Sequence, residues 1–152
     1  MEIVVRRMQE NDLSVVLELA MLANPHVTKE KYGKHVSGVL SENPDLSFVA
    51  TDNGKVVGYV QAEVHDDRAM LEDIAVAQEY QSRGIGKQLL DRMLKALERK
   101  KAKSVLAEVH WKCASDIPFY YEHGFRIIGF VQDHFGNGHD AMILKLALQQ
   151  SR

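Results

Sequence analysis

Gly84-Ile85-Gly86 is where the sequence is best equipped for chemistry. A strand-like run, Leu71-Glu72-Asp73-Ile74-Ala75-Val76, ends a few residues before it, and a helical period starts at it. Glycine at 84 and 86 lets a ligand reach the backbone without meeting a Cβ. The free amides of the first helical turn then face outward, where the helix dipole favours negative charge. Arg83 and Lys87 add cations. Together these make a cradle for phosphate or pyrophosphate. The dinucleotide fingerprint would need a glycine at 89, which is Leu89, and the Walker A loop would need glycine at 81 and Ser or Thr at 88, which are Gln81 and Gln88. The same two glycines would also serve a plain strand-to-helix turn, and their spacing alone does not separate the two readings.

Other reactive types are sparse. The one cysteine, Cys113, lies near the start of a short predicted helix beside Lys112, surroundings that lower a thiol's pKa. The seven histidines are scattered. His134 and His139 flank Gly136-Asn137-Gly138, with Asp140 adjacent, but no HExxH or paired-cysteine pattern accompanies them, so no metal is expected. Glu72 and Asp73 are neighbours in one strand. Strand alternation sends them to opposite faces of a sheet, so at most one should face a substrate directly.

The elements that must hold these residues alternate along the chain. Glu2 to Met8 reads as a strand, followed by a helix capped by Asn11 or Asp12 and running to about Ala23. Asn24-Pro25 breaks it, and a weaker helix runs from Thr28 to about Leu40. Leu46 to Thr51 and Lys55 to Val64 are strands joined by Asp52-Asn53-Gly54, a hairpin signal. Ala69 to Ala77 is a third strand. Ile85, Leu89, Leu90, Met93, Leu94 and Leu97 then mark an amphipathic helix ending in Arg99-Lys100-Lys101. Lys103 to His110 is a strand, Ala114 to His123 a short helix stopped by Gly124, and Phe125 to Gln132 and Asp140 to Leu148 the last two strands. Strand–helix–strand in the middle implies a locally parallel pair, and the hairpins imply antiparallel flanks, so the class is mixed α/β.

Composition bounds the function. The 152 residues are expected to form a single domain, 1–152. With 45% hydrophobic and 26% charged residues the chain is not of disordered type. Nineteen basic against 21 acidic side chains, net charge -2, argue against a dedicated nucleic-acid binder. No uncharged apolar run approaches the roughly 18 residues of a membrane span, and no signal-peptide pattern is read at Met1 onward. A lone cysteine excludes an internal disulfide and fits a cytoplasmic protein.

Gln81-Ser82-Arg83-Gly84-Ile85-Gly86 resembles the (Gln/Arg)-x-x-Gly-x-(Gly/Ala) signature of the Gcn5-related N-acetyltransferases, the GNAT superfamily. Pro118-Phe119-Tyr120-Tyr121-Glu122-His123-Gly124-Phe125 resembles the family's Phe/Leu-Tyr-x-x-x-Gly-Phe motif, at the expected distance downstream. The resemblance covers nearly the whole chain. It implies a mostly antiparallel sheet of six or seven strands, with a central parallel pair splayed for coenzyme A and about four helices on both faces. It implies acetyl-CoA as co-substrate, held by Gln81, Ser82, Arg83, Gly84, Ile85, Gly86 and Lys87, with Ile74, Ala75 and Val76 offering backbone groups to the pantetheine arm. Cys113 stands where many relatives carry a cofactor-contacting asparagine, a departure that weakens that contact. Direct transfer in the family makes a nucleophilic role for Cys113 unnecessary. Homodimers are common among relatives.

Acetyl transfer to an amine needs a neutral amine, a stabilised oxyanion and a protonated leaving thiolate. Tyr120 aligns with the family's general acid, and a phenol near pKa 10 can donate to a thiolate near 8.5. For the base, Glu108-Val109-His110 followed by Tyr120 resembles the Glu-Val-Arg … Tyr arrangement of ribosomal-protein alanine N-acetyltransferases, with His110 replacing the arginine. Glu72, with Asp73, is similar to the acidic pair of glucosamine-phosphate N-acetyltransferases and competes with Glu108. Asp133-His134-Phe135 … His139-Asp140-Ala141 resembles the Tyr-Tyr … Glu-Asp-Ala segment of N-terminal acetyltransferases. With the acceptor pocket built from the first two helices and the closing hairpin, the resemblance implies Tyr32, Asp73, His110, His134 and Phe135 as acceptor-binding residues, with His35 and the loop around Asn24-Pro25-His26 beside them. The acceptor is expected to be a peptide N-terminus or a small amine, and the alternative function is a non-catalytic acyl-CoA-binding regulatory module.

Overall fold

A computed structural model describes residues 1–148. Strand β1 (Ile3–Arg7) pairs antiparallel with β2 (Ser47–Asp52), which pairs antiparallel with β3 (Lys55–His65). The β2–β3 turn carries Asn53 at φ 49° and Gly54 at φ 88°, the two left-handed positions of a tight hairpin turn that the Asn-Gly pair favours. Strand β4 (Arg68–Val76) continues antiparallel, and β5 (Ser104–His110) lies parallel to β4. Strands β6 (Arg126–Val131) and β7 (Ala141–Ala147) close the sheet in the order β1-β2-β3-β4-β5-β7-β6. The result is a mixed α/β architecture with seven strands and one parallel pair.

Helices cover both faces. Helix α1 (Leu13–Ala23) and α2 (Lys29–Glu42) bury Val16, Ala20, Val36 and Leu40 against Val49, Tyr59 and Ala75. Helix α3 (Ile85–Arg99) buries Ile85, Leu89, Leu90, Met93 and Leu97 against the other face, and α4 (Ile117–Glu122) adds Tyr120 there with Phe125 just beyond it. No helix among the described residues is long and apolar enough to cross a membrane.

Asp12 departs from the expected cap. Residues Glu10–Asp12 form a 3-10 turn before α1, and Asp12 makes no side-chain cap to α1. Its carboxylate instead receives both guanidinium nitrogens of Arg6, at 2.8 and 2.9 Å, and the amide of Gln9 at 2.8 Å. A bidentate charged partner outcompetes a neutral helix amide for the same two oxygens. The pair holds Asp12's pKa below the usual carboxylate range.

Two irregularities in the centre create room for a site. Gln61 pairs with Asp73 but Ala62 pairs with Leu71, so Glu72 is an extra residue in β4, a β-bulge. Beyond the bulge β4 leaves β5. Their pairing runs only from Arg68↔Ser104 to Leu71↔Ala107, although β4 continues to Val76 and β5 to His110.

Leu90 is fully buried in the α3 face. Leu90→Ala is expected to cost about 2–5 kcal/mol of unfolding free energy. Urea denaturation followed by circular dichroism reads this as a lower midpoint at unchanged slope.

Candidate active site

The splay between β4 and β5 is flanked by two cavities. One, of about 770 Å³, is lined by Ile74, Ala75 and Val76 of β4, by Gln81, Ser82, Gly84, Ile85, Gly86 and Lys87, and by Cys113, Phe119 and Tyr120. The other, of about 530 Å³, is lined by Tyr32, His35, Glu63, Glu72, Asp73, Glu108, His110, Phe135 and Tyr120, among others. Tyr120 belongs to both walls.

The larger cavity fits an anionic cofactor. Gly84 sits at φ 80°, where a β-carbon is strained, and a Cβ built there would meet nothing within 4 Å. It directly precedes α3, whose first amide engaged within the turn is that of Gln88, bonded to Gly84 O at 3.1 Å. The amides ahead of it remain available to an anion. Lys87 and Lys112 line the same space. The Gln81 side chain is committed to the sheet, donating to Val76 O at 3.0 Å. Arg83 is not part of this wall: its guanidinium lies 5.6 Å from the Tyr80 ring centroid and 3.4 Å from Met1 Sδ. Lys112, Ser115, Asp116, Phe119 and His123 line the cavity without having been singled out in the sequence as cofactor contacts. Their spacing after β5 becomes meaningful only once the 3-10 segment Trp111–Asp116 turns the chain back toward α3.

Cys113 corrects one expectation. Its thiol pKa is raised, not lowered, because burial outweighs any helix effect and the Asp116 and Asp73 carboxylates add to it. Its Sγ points to Ala23 O at 3.6 Å. A protonated thiol in this position packs and does not attack.

Tyr120 is 8% exposed. Burial, then the charges of Asp73, Asp116 and Cys113, push its pKa well above that of a free phenol, with no hydrogen bond contributing. Its ring packs edge-on against Phe125 at 5.4 Å and Phe119 at 5.5 Å. The hydroxyl is therefore a held, protonated donor at the junction of the cavities.

The smaller cavity is rich in carboxylates, each with a partner. Glu72 and Asp73 line it together, against the expectation that they face opposite ways. The bulge is the reason. Leu71 packs with the α3 core and Ala75 with the α1–α2 core, so the alternation reverses between them and puts both acids on the α2 side. Glu72 pairs with His35 Nε2 at 3.2 Å, and Glu63 lines the same cavity beside it. Burial and the Glu72 carboxyl raise Glu63's pKa, and the Glu72 carboxylate raises His35's. Asp73 accepts from Tyr32 OH at 2.6 Å, Asn24 Nδ2 at 2.9 Å, the Ile74 amide at 2.9 Å and the Tyr59 hydroxyl. Its enclosure raises its pKa while those donors oppose the rise. Glu108 takes a hydrogen bond from His134 Nε2, so His134 reaches the site through Glu108 and is not itself among the lining residues. Strand alternation gave no signal for Glu63, because only the chain reversal after His65 sets it beside Glu72.

A stack of imidazoles walls the far side. His26 and His110 rings lie 3.8 Å apart and nearly parallel, with Phe135 5.6 Å from His110. His110 Nδ1 accepts from the Lys112 amide at 3.0 Å, so in the neutral ring Nε2 carries the proton and donates to His139 Nδ1 at 2.8 Å. His26 Nδ1 is buried without a hydrogen-bond partner. Burial, then His26 and His139, push His110's pKa down to about 4.

With the geometry in place, comparisons identify its kind. The profile described as "Acetyltransferase (GNAT) domain" matches residues 43–127. The chain belongs to the GNAT acetyltransferase family. It is 30% identical over 106 residues to the ribosomal protein bS18-alanine N-acetyltransferase of Escherichia coli K12, covering 68% of this chain and 72% of that protein. In fold it matches Ard1 from Thermoplasma volcanium with a TM-score of 0.89 at 21% identity, over 99% of this chain and 100% of that one. A chain of the NatC complex bound to Gag peptide and CoA matches with a TM-score of 0.80 at 20% identity, over 98% and 100%. The protein is thus a GNAT N-acetyltransferase.

The imidazole stack makes a pH prediction. A histidine whose folded pKa lies near 4 instead of an ordinary 6.5 binds fewer protons folded than unfolded between those values. Its stability contribution is complete above about pH 6.5 and is lost as pH falls toward 4, and the lowered His26 acts in the same direction. His110→Gln is expected to flatten the fall in unfolding free energy over that window. An unchanged slope in denaturation at stepped pH would remove His110 as its source.

Proposed function

We propose that this GNAT enzyme transfers acetyl directly from acetyl-CoA to the amine of a peptide or protein N-terminus, within a ternary complex. The observation that carries the reading is Tyr120 at the meeting of an anion cradle and a carboxylate-lined cavity. The relative that acts on the alanine of ribosomal protein bS18, and the fold match to a complex holding peptide and CoA, support a peptide acceptor.

Acetyl-CoA, when bound, supplies an activated acetyl thioester. The α3 amides with Lys87 and Lys112 hold its pyrophosphate, and the unpaired stretch Ile74–Val76 offers backbone groups to its pantetheine arm. Glu108, oriented by His134, takes the proton from the acceptor nitrogen through water, and Glu72 is the second carboxylate able to do so. Asp73, His110, Phe135 and Tyr32 enclose the acceptor. Tyr120 gives its proton to the departing sulfur. The dry wall that keeps the phenol protonated also destabilises a bare thiolate, so the donated proton is worth more there than in water.

Tyr120→Phe is expected to lower kcat by roughly 10² to 10⁴ while leaving CoA affinity nearly unchanged. Release of CoA thiol, followed with a panel of short peptides and small amines, checks this. An unchanged rate would remove Tyr120 from the mechanism. CoA binding without turnover on any amine would favour a regulatory module, and turnover confined to small amines would replace the peptide acceptor.

A further inference from the structure

The Asp73 carboxylate has about four acceptor positions. Four protein donors converge on it unevenly: Asn24 Nδ2, Tyr32 OH and Tyr59 OH all on Oδ2, and the Ile74 amide on Oδ1, which keeps one position open. Those donors come from four places: the end of α1, the first turn of α2, strand β3, and β4 itself. Oδ2 has no capacity left for an acceptor amine, although Asp73 lines the acceptor cavity.

Two of the donors belong to the connection that roofs the site. Ala23 lines the cofactor cavity, while Asn24, His26, Val27 and Tyr32 line the acceptor cavity, so the segment between α1 and α2 spans both. Asn24 and Tyr32 stand at its two ends and converge on one oxygen of Asp73. The other fixings along this roof are weaker in kind: the Cys113 thiol on Ala23 O at 3.6 Å and the His26 ring stacked on His110. Charge-assisted hydrogen bonds are roughly twice as strong as neutral ones.

We propose that Asp73 is a positioning residue that sets the acceptor cavity by pinning both ends of the α1–α2 connection to the β4 bulge through Asn24 and Tyr32. The assignment rests on the acetyl-transfer reading of the same site. Its effect falls on acceptor capture. The Tyr120 side chain and the CoA cradle sit on other elements, α4 and α3, and no hydrogen bond joins Tyr120 to Asp73, whose charge alone reaches the phenol. Tyr59 is the internal control. It bonds the same carboxylate but is fully buried in β3 and lines neither cavity.

The test compares Asp73→Asn, Tyr32→Phe, Asn24→Ala and Tyr59→Phe with wild type for acceptor KM, kcat, CoA affinity by calorimetry and melting temperature. A hydrogen bond to a charged group is worth about tenfold or more in an equilibrium. Asp73→Asn, Tyr32→Phe and Asn24→Ala are each expected to raise acceptor KM about tenfold, with kcat within about threefold and CoA affinity unchanged. Tyr59→Phe should leave acceptor KM within about twofold, whatever it does to the melting temperature. Should Asp73→Asn not fold, the Tyr32 and Asn24 variants decide alone. The proposal is overturned if acceptor KM does not move in those two variants, if Asp73→Asn lowers kcat at constant KM, or if Tyr59→Phe raises KM as much as Tyr32→Phe. A wild-type enzyme that acetylates no peptide or small amine would instead overturn the acetyl-transfer reading, and this assignment with it.

Discussion

The extra residue at Glu72 is the constraint on which the rest of the site depends. A strand of strict alternation would send Glu72 and Asp73 to opposite faces and would go on pairing with its parallel neighbour. With two residues of β4 opposite one step of β3, both acids come to the α2 side and the strand leaves β5 after Leu71. The peptide groups of Ile74, Ala75 and Val76 then face a slot in place of a partner strand. On that side of β4 the ladder partners are given up, leaving its peptide groups free for another partner, while β3 keeps the other side paired through Gly58↔Val76.

The electrostatics follow from that geometry. Carboxylates crowded at a splay would repel and protonate if left alone. Here each has a named partner: His35 and Glu63 for Glu72, two tyrosines and Asn24 for Asp73, His134 for Glu108. Apart from the Glu63 carboxyl, these partners are neutral donors or imidazoles. Across from them burial and the neighbouring imidazoles push the pKa values of His26 and His110 down, which disfavours their protonation. Tyr120, between the two cavities, is kept protonated by the same dry and acidic surroundings.

Much of this was legible in the sequence wherever a short-range rule decides. Asn53-Gly54 specifies its hairpin turn locally, the spacing from Ile85 to Leu97 specifies the buried face of α3, and Gly84 marks the left-handed position, φ 80°, that directly precedes α3. What escaped depends on pairing across the chain. The bulge exists only in the register of β4 against β3, so nothing in Glu72-Asp73 itself reveals that both side chains point one way. Asp12 looked like a helix cap because Arg6 comes from a strand whose proximity the sequence does not display. Cys113 looked activated because a helix start and Lys112 are local features, whereas its pKa is raised by burial and by the Asp116 and Asp73 carboxylates, and its thiol faces Ala23 O, 90 residues away in sequence. Arg83 looked like a phosphate ligand by position, but its side chain turns to Tyr80 and Met1.

The central claim is that the two cavities are loaded together and that acetyl crosses between them at Tyr120 without passing through the protein. An initial-rate matrix varying acetyl-CoA against a peptide acceptor tests it most directly. Double-reciprocal lines that intersect are the expected result, since both substrates must be present before any product leaves. Parallel lines, with CoA released from enzyme and acetyl-CoA before acceptor is added, would mean an acetylated enzyme group and would contradict the account.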